Sequence, residues 1–107
     1  TSILSSNSIK YLFFYDCNFL EIPKEISNLN TLVKLTFDNC NLKTLPEGFE
    51  TLNQIKRLDL RNNQIETFLP YFNDCFKFKE IILERNNISE EEEQELENKC
   101  PDINFRI

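Results

Sequence analysis

The cysteines at 17, 40, 75 and 100 are the side chains of this 107-residue sequence best suited to metal or redox chemistry. No two of them stand in a CxxC pair, the spacing that structural zinc sites use. A catalytic cysteine needs a neighbouring base to form its thiolate, and the sequence contains no His. Buried free thiols are therefore the expected state. Glu90, Glu91, Glu92, Glu93, Glu95 and Glu97 form a dense run of carboxylates. They lack the loop order of a calcium hand, and an isolated helix chelates poorly, so solvated helix surface is the expected reading. With Gly48 the one glycine, no glycine-rich phosphate loop can form. Base, nucleophile and metal cage are all missing. The expectation is a non-enzyme without cofactor or metal.

Composition narrows the class further. Apolar residues make up 40% of the sequence, an ordinary globular share, and the length suits a single domain over 1–107. No apolar run approaches the roughly 18 residues of a membrane helix, so no membrane insertion is expected. The net charge is −6, and Lys and Arg form no consecutive patch, which argues against nucleic acid as partner. The acidity is local: outside the glutamate run the sequence carries 12 acids and 12 bases. With no Met present, the sequence is expected to begin after processing or to be cut from a longer one. No signal segment is visible, and the compartment stays open.

The elements follow from a repeat. Ile9, Leu12, Phe14, Cys17, Phe19, Ile22, Ile26 and Leu29 have counterparts 23 positions later at Leu32, Leu35, Phe37, Cys40, Leu42, Leu45, Phe49 and Leu52. The mask continues with Ile55, Leu58, Leu60, Asn63, Ile65, Phe68, Phe72 and Cys75, then Phe78, Ile81, Leu83, Asn86 and Ile88. Each block opens with apolar and polar residues in alternation, which is a strand with one buried face. A turn and a looser apolar return follow. One block cannot enclose its own apolar residues, whereas stacked blocks can, with parallel strands about 4.8 Å apart. Cys17, Cys40, Asn63 and Asn86 fall where the backbone turns inward and its polar groups lose water. Asn supplies both a donor and an acceptor there, and Cys a weaker version of each, so a structural ladder is expected. Its spacing also makes a Cys17–Cys40 bridge conceivable.

The segments LVKLTFDNCNLKTLPEGFETL, IKRLDLRNNQIETF and SIKYLFFYDCNFLEIPKEISNL resemble the leucine-rich-repeat family, with consensus LxxLxLxxNxLxxLPxxhxxL. Ile22-Pro23-Lys24-Glu25-Ile26 is similar to the 23-residue repeats of bacterial members. The resemblance implies an α/β solenoid, a short right-handed superhelix or horseshoe, with about five parallel strands on its concave face. It also implies a protein that recognises other proteins rather than performing chemistry, and one that is secreted or surface-associated. Host interaction is a further implication of the bacterial members.

Repeats are expected to start at 9, 32, 55 and 78. Residues 1–8 read as an N-terminal cap or the tail of a preceding repeat. Ser89 with Glu92 three residues on forms a capping-box pair, and early glutamates with a late Lys99 suit a helix dipole. Pro101 stops that helix, and alternation returns over 102–107. Residues 89–107 are thus expected to be a capping helix and a final strand. Asn87-Ile88-Ser89 is a glycosylation sequon, of little weight without a secretory context.

The polar alternates of the strands are expected on the concave face. The candidates for partner binding are Tyr11, Phe13, Tyr15, Lys34, Thr36, Asp38, Lys56, Arg57, Asp59, Arg61, Ile82 and Glu84. Tyr11, Phe13 and Tyr15 are the oddity, because aromatics are typical interface anchors. They point to a partner-binding role or to a homodimer, unless an N-terminal segment folds over them. The expected face measures about 24 by 16 Å, about 400 Å², from strand spacing and rise. A standard interface needs about 800 Å² per partner. The leading expectation is recognition of a protein, or of a glycan, through this face. Charge reversal at Arg57 and Arg61 is then expected to weaken binding without lowering the melting temperature. Self-association through the aromatic strip, and service as the substrate-recognition arm of a larger effector, are the alternatives.

Overall fold

The computed structural model describes residues 8–18, 24–45, 52, 54–68 and 78–107. Five parallel strands form one sheet in chain order: β1 (Tyr11–Tyr15), β2 (Lys34–Asp38), β3 (Arg57–Asp59), β4 (Glu80–Ile82) and β5 (Asn104–Arg106). Tyr11, Lys34, Arg57, Glu80 and Asn104 stand side by side across it. The first three steps between them are 23 residues and the last is 24, the extra residue falling in the segment that carries the helix α1 (Glu90–Lys99). A short 3-10 helix at Lys24–Asn28 follows β1.

The 23-residue offset places like side chains in columns. Leu12, Leu35, Leu58 and Ile81 fill one buried column, and the next holds Phe14, Phe37, Leu60 and Leu83. Phe14 stacks on Phe37 with ring centres 5.0 Å apart and planes inclined by 10°. Phe14, on the first strand among the described residues, is half-buried, whereas the other three are buried. Leu29, Leu52, Ile65 and Phe68 close the core from the far side. A coil therefore buries its apolar edge on its neighbour.

The ladder positions split by residue type. Asn63 Oδ1 accepts from the buried N–H groups of Cys40 and Leu42 at 3.0 and 3.1 Å. Its Nδ2 donates to the carbonyls of Phe37, Leu60 and Arg61 at 2.7, 2.9 and 3.1 Å. Asn86 repeats this on the next coil, accepting from Ile65 at 2.9 Å and donating to Leu60 at 2.7 Å. Cys40 Sγ donates to Phe14 and Asp38 carbonyls at 3.6 and 3.5 Å, and Cys17 Sγ to Tyr15 at 3.4 Å.

At the C-terminal end, Ser89 Oγ accepts from the Glu92 N–H at 3.2 Å, and Lys99 sits in the last turn of α1. The Glu92 carboxylate accepts from the Thr67 hydroxyl and the Phe68 N–H, tying the helix to the third coil. Leu96 and Cys100 are buried against the core. Cys17 and Cys40 are free thiols, but Cys100 is disulfide-bonded. The expectation of a free thiol at Cys100 is thus corrected: adjacent to the packed cap, it is held by a covalent bond instead of apolar burial alone. The expectations for residues 1–7, Phe19, Ile22, Phe49, Phe72 and Cys75 lie outside the described residues.

Burial pushes the Cys40 thiol above its ordinary pKa. Alkylation followed by peptide mass mapping is expected to mark half-buried Cys17 first and Cys40 much later, with Cys100 reacting only after reduction. Equal rates at Cys17 and Cys40 would contradict this packing.

Candidate functional site

The outward side chains of the five strands form two unlike halves. On β1, Tyr11, Phe13 and Tyr15 are 56%, 46% and 58% exposed, three large apolar groups in one row. The Phe13 and Tyr15 rings run nearly parallel, 14° apart with centres separated by 6.4 Å. On β2, Lys34 carries its ammonium 5.6 Å from the centre of the Tyr11 ring, a cation–π contact at an exposed site. Asp38 accepts from Asn62 Nδ2 at 2.8 Å and keeps part of its surface in solvent.

The β3–β5 half is an ion-pair network. Arg61 Nη2 lies 2.8 Å from Asp59, its Nε donates to both oxygens of that carboxylate, and its own backbone N–H donates to Oδ1 at 3.2 Å. Those hydrogen bonds to Asp59 hold the Arg61 guanidinium above its ordinary pKa. Arg57 pairs with Glu80 at 2.8 Å and approaches Asp59 at 3.7 Å. Arg106 reaches Glu80 at 3.9 Å and Glu84 at 3.8 Å. Charges therefore alternate across three strands.

Of the twelve residues expected to bind a partner, three are buried in the structure. Thr36, Asp59 and Ile82 are 2%, 4% and 0% exposed. They form the central column of the open face, Thr36 lying between Phe13 and Asp59, and Ile82 between Asp59 and Arg106. Arg57 and Arg61 reach over Asp59 from either side, and strand alternation alone overstates the access of the column. Arg57 and Arg61 both take part in ion pairs within the chain. They are half-buried and committed to Asp59 and Glu80, so reversing their charge strikes stability first. Lys56 is exposed but stands just before β3, at the edge of the face. Tyr11, Phe13, Tyr15, Lys34, Asp38 and Glu84 remain on the open face with surface in solvent.

A second feature goes beyond the expected set. Asp16, Asn39, Asn41, Asn62 and Arg85 have positive φ near 60° where the chain leaves the strands. Asn and Asp tolerate that conformation better than other non-glycine residues. Together with Asn18 and Gln64 they line a polar groove of about 460 Å³. Asn39 donates to Asp16 at 2.8 Å, Asn41 to Asn18 at 3.2 Å, and Gln64 to Asn41. The signal for this amide rail was present at 23-residue spacing in Asn18, Asn41, Gln64 and Asn87. Among the described residues no cluster of His, Cys, Asp or Glu could hold a metal. No helix there is long and apolar enough to cross a membrane.

Stacked parallel strands, inward Asn turns and a helical end define a repeat solenoid with one open strand face. The comparisons agree. The sequence profile of the leucine-rich repeat matches residues 8–29 and 54–75. A solved leucine-rich-repeat protein of Leptospira interrogans superposes with a TM-score of 0.79 at 25% identity. That match covers 92% of this chain and 25% of the Leptospira chain, so the present chain spans about a quarter of its length. No curated protein matches the sequence. Two segments of the chain thus match the leucine-rich repeat, and its fold is that of a leucine-rich-repeat solenoid. Such domains typically bind proteins and are typically non-catalytic.

Proposed function

We propose that this chain is a recognition module that binds a protein through its open strand face, anchored by Tyr11, Phe13 and Tyr15. The observation that carries the reading is the row of three half-exposed aromatic rings on one strand. Each offers about 100 Å² of apolar contact, half of the 150–250 Å² such a side chain can bury. Aromatic anchors of this kind dominate binding energy, while polar neighbours set orientation. Lys34 and Asp38 beside the row supply one charge of each sign, and the β3–β5 network offers a stiff, already paired surface.

The disulfide at Cys100 supports an exported location, because such bonds persist in oxidising compartments. Isolation of the natural protein with Cys100 reduced would remove that support.

Affinity capture with the wild-type chain and with Phe13→Ala/Tyr15→Ala tests the site. The captured protein is expected to bind the double variant at least about 30-fold more weakly, the scale of a hot-spot truncation. The melting temperature should stay close to wild type, since neither ring is in the core. Undiminished capture by a folded double variant would place recognition elsewhere.

A further inference from the structure

We infer that the polar groove just beyond the strands is a second binding site, one that takes an oligosaccharide carrying a carboxylate. It is separate from the aromatic row and does not depend on it.

Two rails of polar side chains build the groove at the 23-residue spacing of the coils. Asp16, Asn39, Asn62 and Arg85 form the first, each with φ between 56° and 60°. Asn18, Asn41 and Gln64 form the second, two positions further along each coil. All seven are polar. The groove measures about 460 Å³, within the range that holds a drug-sized ligand.

Arg85 is the position that an architectural role explains least. The first rail turns left-handed on every coil, a conformation that Asn and Asp tolerate and arginine does not favour. Asp16, Asn39 and Asn62 meet that demand; Arg85, at φ 58°, does not. Nor does an ion pair hold it there. Arg57, Arg61 and Arg106 each reach a carboxylate, whereas exposed Arg85 pairs with none among the described residues. Glu84, its neighbour in sequence, is turned to Arg106 at 3.8 Å. Residues held in disfavoured backbone conformations gather at ligand sites. An exposed, unpaired guanidinium at the end of a groove is a fork for a carboxylate.

The amides specify the rest of the ligand. Asn39 donates to Asp16, Asn62 to Asp38, and Gln64 to Asn41, so each is oriented by one neighbour. Each keeps one donor hydrogen and its carbonyl oxygen for a ligand. A hydroxyl both donates and accepts, so the hydroxyls of a sugar ring match such amides.

Spacing separates a sugar chain from a peptide. Coils repeat about every 4.8 Å, whereas an extended peptide repeats like groups about every 6.6 Å, at two residues of about 3.3 Å. A peptide backbone therefore falls out of step with the rails within one coil. A pyranose with its bridging oxygen is close to one coil step in length. From the second coil to the fourth the rails span about 10 Å, room for a disaccharide whose carboxylate meets Arg85. A nucleic acid strand fits poorly, because a single guanidinium does not neutralise successive phosphates.

Isothermal titration calorimetry of the 107-residue chain tests this with three acidic probes. They are oligogalacturonate, oligomannuronate, and an oligosaccharide of alternating glucuronate and N-acetylglucosamine. Each is titrated to about 5 mM, beyond the millimolar affinity of a small site. Saturable binding of at least one is expected. Its carboxyl-reduced, neutral form should bind about tenfold more weakly, the loss of one charge-assisted hydrogen bond. Arg85→Asn should bind the acidic probe about tenfold more weakly, erasing the difference between the two forms. Its melting temperature should not fall, because Asn suits the left-handed turn; a merely structural arginine would lower it. Asn39→Gly/Gln64→Ala, in which glycine accepts the φ of Asn39, should weaken both forms about tenfold. Cooperative melting confirms that each variant folds. Failure of all three acidic probes to bind overturns the proposal. So does an Arg85→Asn variant that binds the acidic probe as tightly as wild type. A capped Asp-Gly-Asp-Gly peptide that binds as tightly as the best acidic probe would reveal attraction of anions only, and overturns it too.

Discussion

Asn63→Ala is expected to lower the unfolding free energy by about 3 kcal/mol or more, read by urea or thermal unfolding. Its side chain accepts from two buried N–H groups, on Cys40 and Leu42, and donates to three carbonyls. Alanine leaves both N–H groups without acceptor in a place water does not reach. A buried donor left unpaired costs about 1–3 kcal/mol, and two are orphaned at once. For a chain of this length that corresponds to a melting-temperature drop of roughly 10–20 °C. Cys17→Ala should cost less than about 1 kcal/mol, because half-buried Cys17 makes one weak bond from sulfur. Asn63→Cys should resemble Asn63→Ala, since the bonds of Cys40 at the equivalent position are donated from sulfur to carbonyls. An Asn63→Ala variant within about 1 kcal/mol of wild type would show that the inward turn does not depend on this side chain.

The columns were legible in the sequence because each one reflects a single physical demand repeated at fixed spacing. Leu35, Leu58 and Ile81 must be apolar for stacked coils to exclude water, and the 23-residue offset then fixes the strand register. Ser89 and Glu92 announced the helix start through cap chemistry alone. The open face was only half legible. Alternation marks which way a side chain points, but access depends on what its neighbours do. Thr36 and Ile82 point outward and are still buried. Lys56 stands in a position of buried parity yet is exposed, because the strand has not begun there. The Cys100 disulfide was illegible for another reason. Sequence spacing does not report which sulfurs come together in space.

The same distinction changes how the basic residues of the face are understood. Lys34 and Arg61 look alike in a list of charged alternates. Lys34 leans on Tyr11 from an exposed site, and its removal disturbs a contact worth under about 1 kcal/mol. It is the cleaner reporter of partner binding. Arg61 instead holds a buried carboxylate in place.

Arg61→Glu is expected to destabilise the chain by about 3 kcal/mol. Asp59 has 5% of its side chain in solvent, and Arg61 grips both of its oxygens. Reversal removes that grip and sets a second carboxylate against the first. Arg57 cannot take over without loss: it stands 3.7 Å from Asp59 and is already bound to Glu80 at 2.8 Å. Breaking a buried pair from one side costs about 3–5 kcal/mol, and the partial exposure of Arg61 places this case at the lower end. Replacing both partners, as in Asp59→Asn/Arg61→Gln, leaves no uncompensated charge and should cost clearly less than the single reversal. Lys34→Glu, at an exposed site, should change stability by no more than about 0.5 kcal/mol. A cooperative unfolding curve for each of the three variants decides the matter. If Arg61→Glu matches Lys34→Glu, the network is surface decoration, and the two arginines return to the set of residues free to meet a partner.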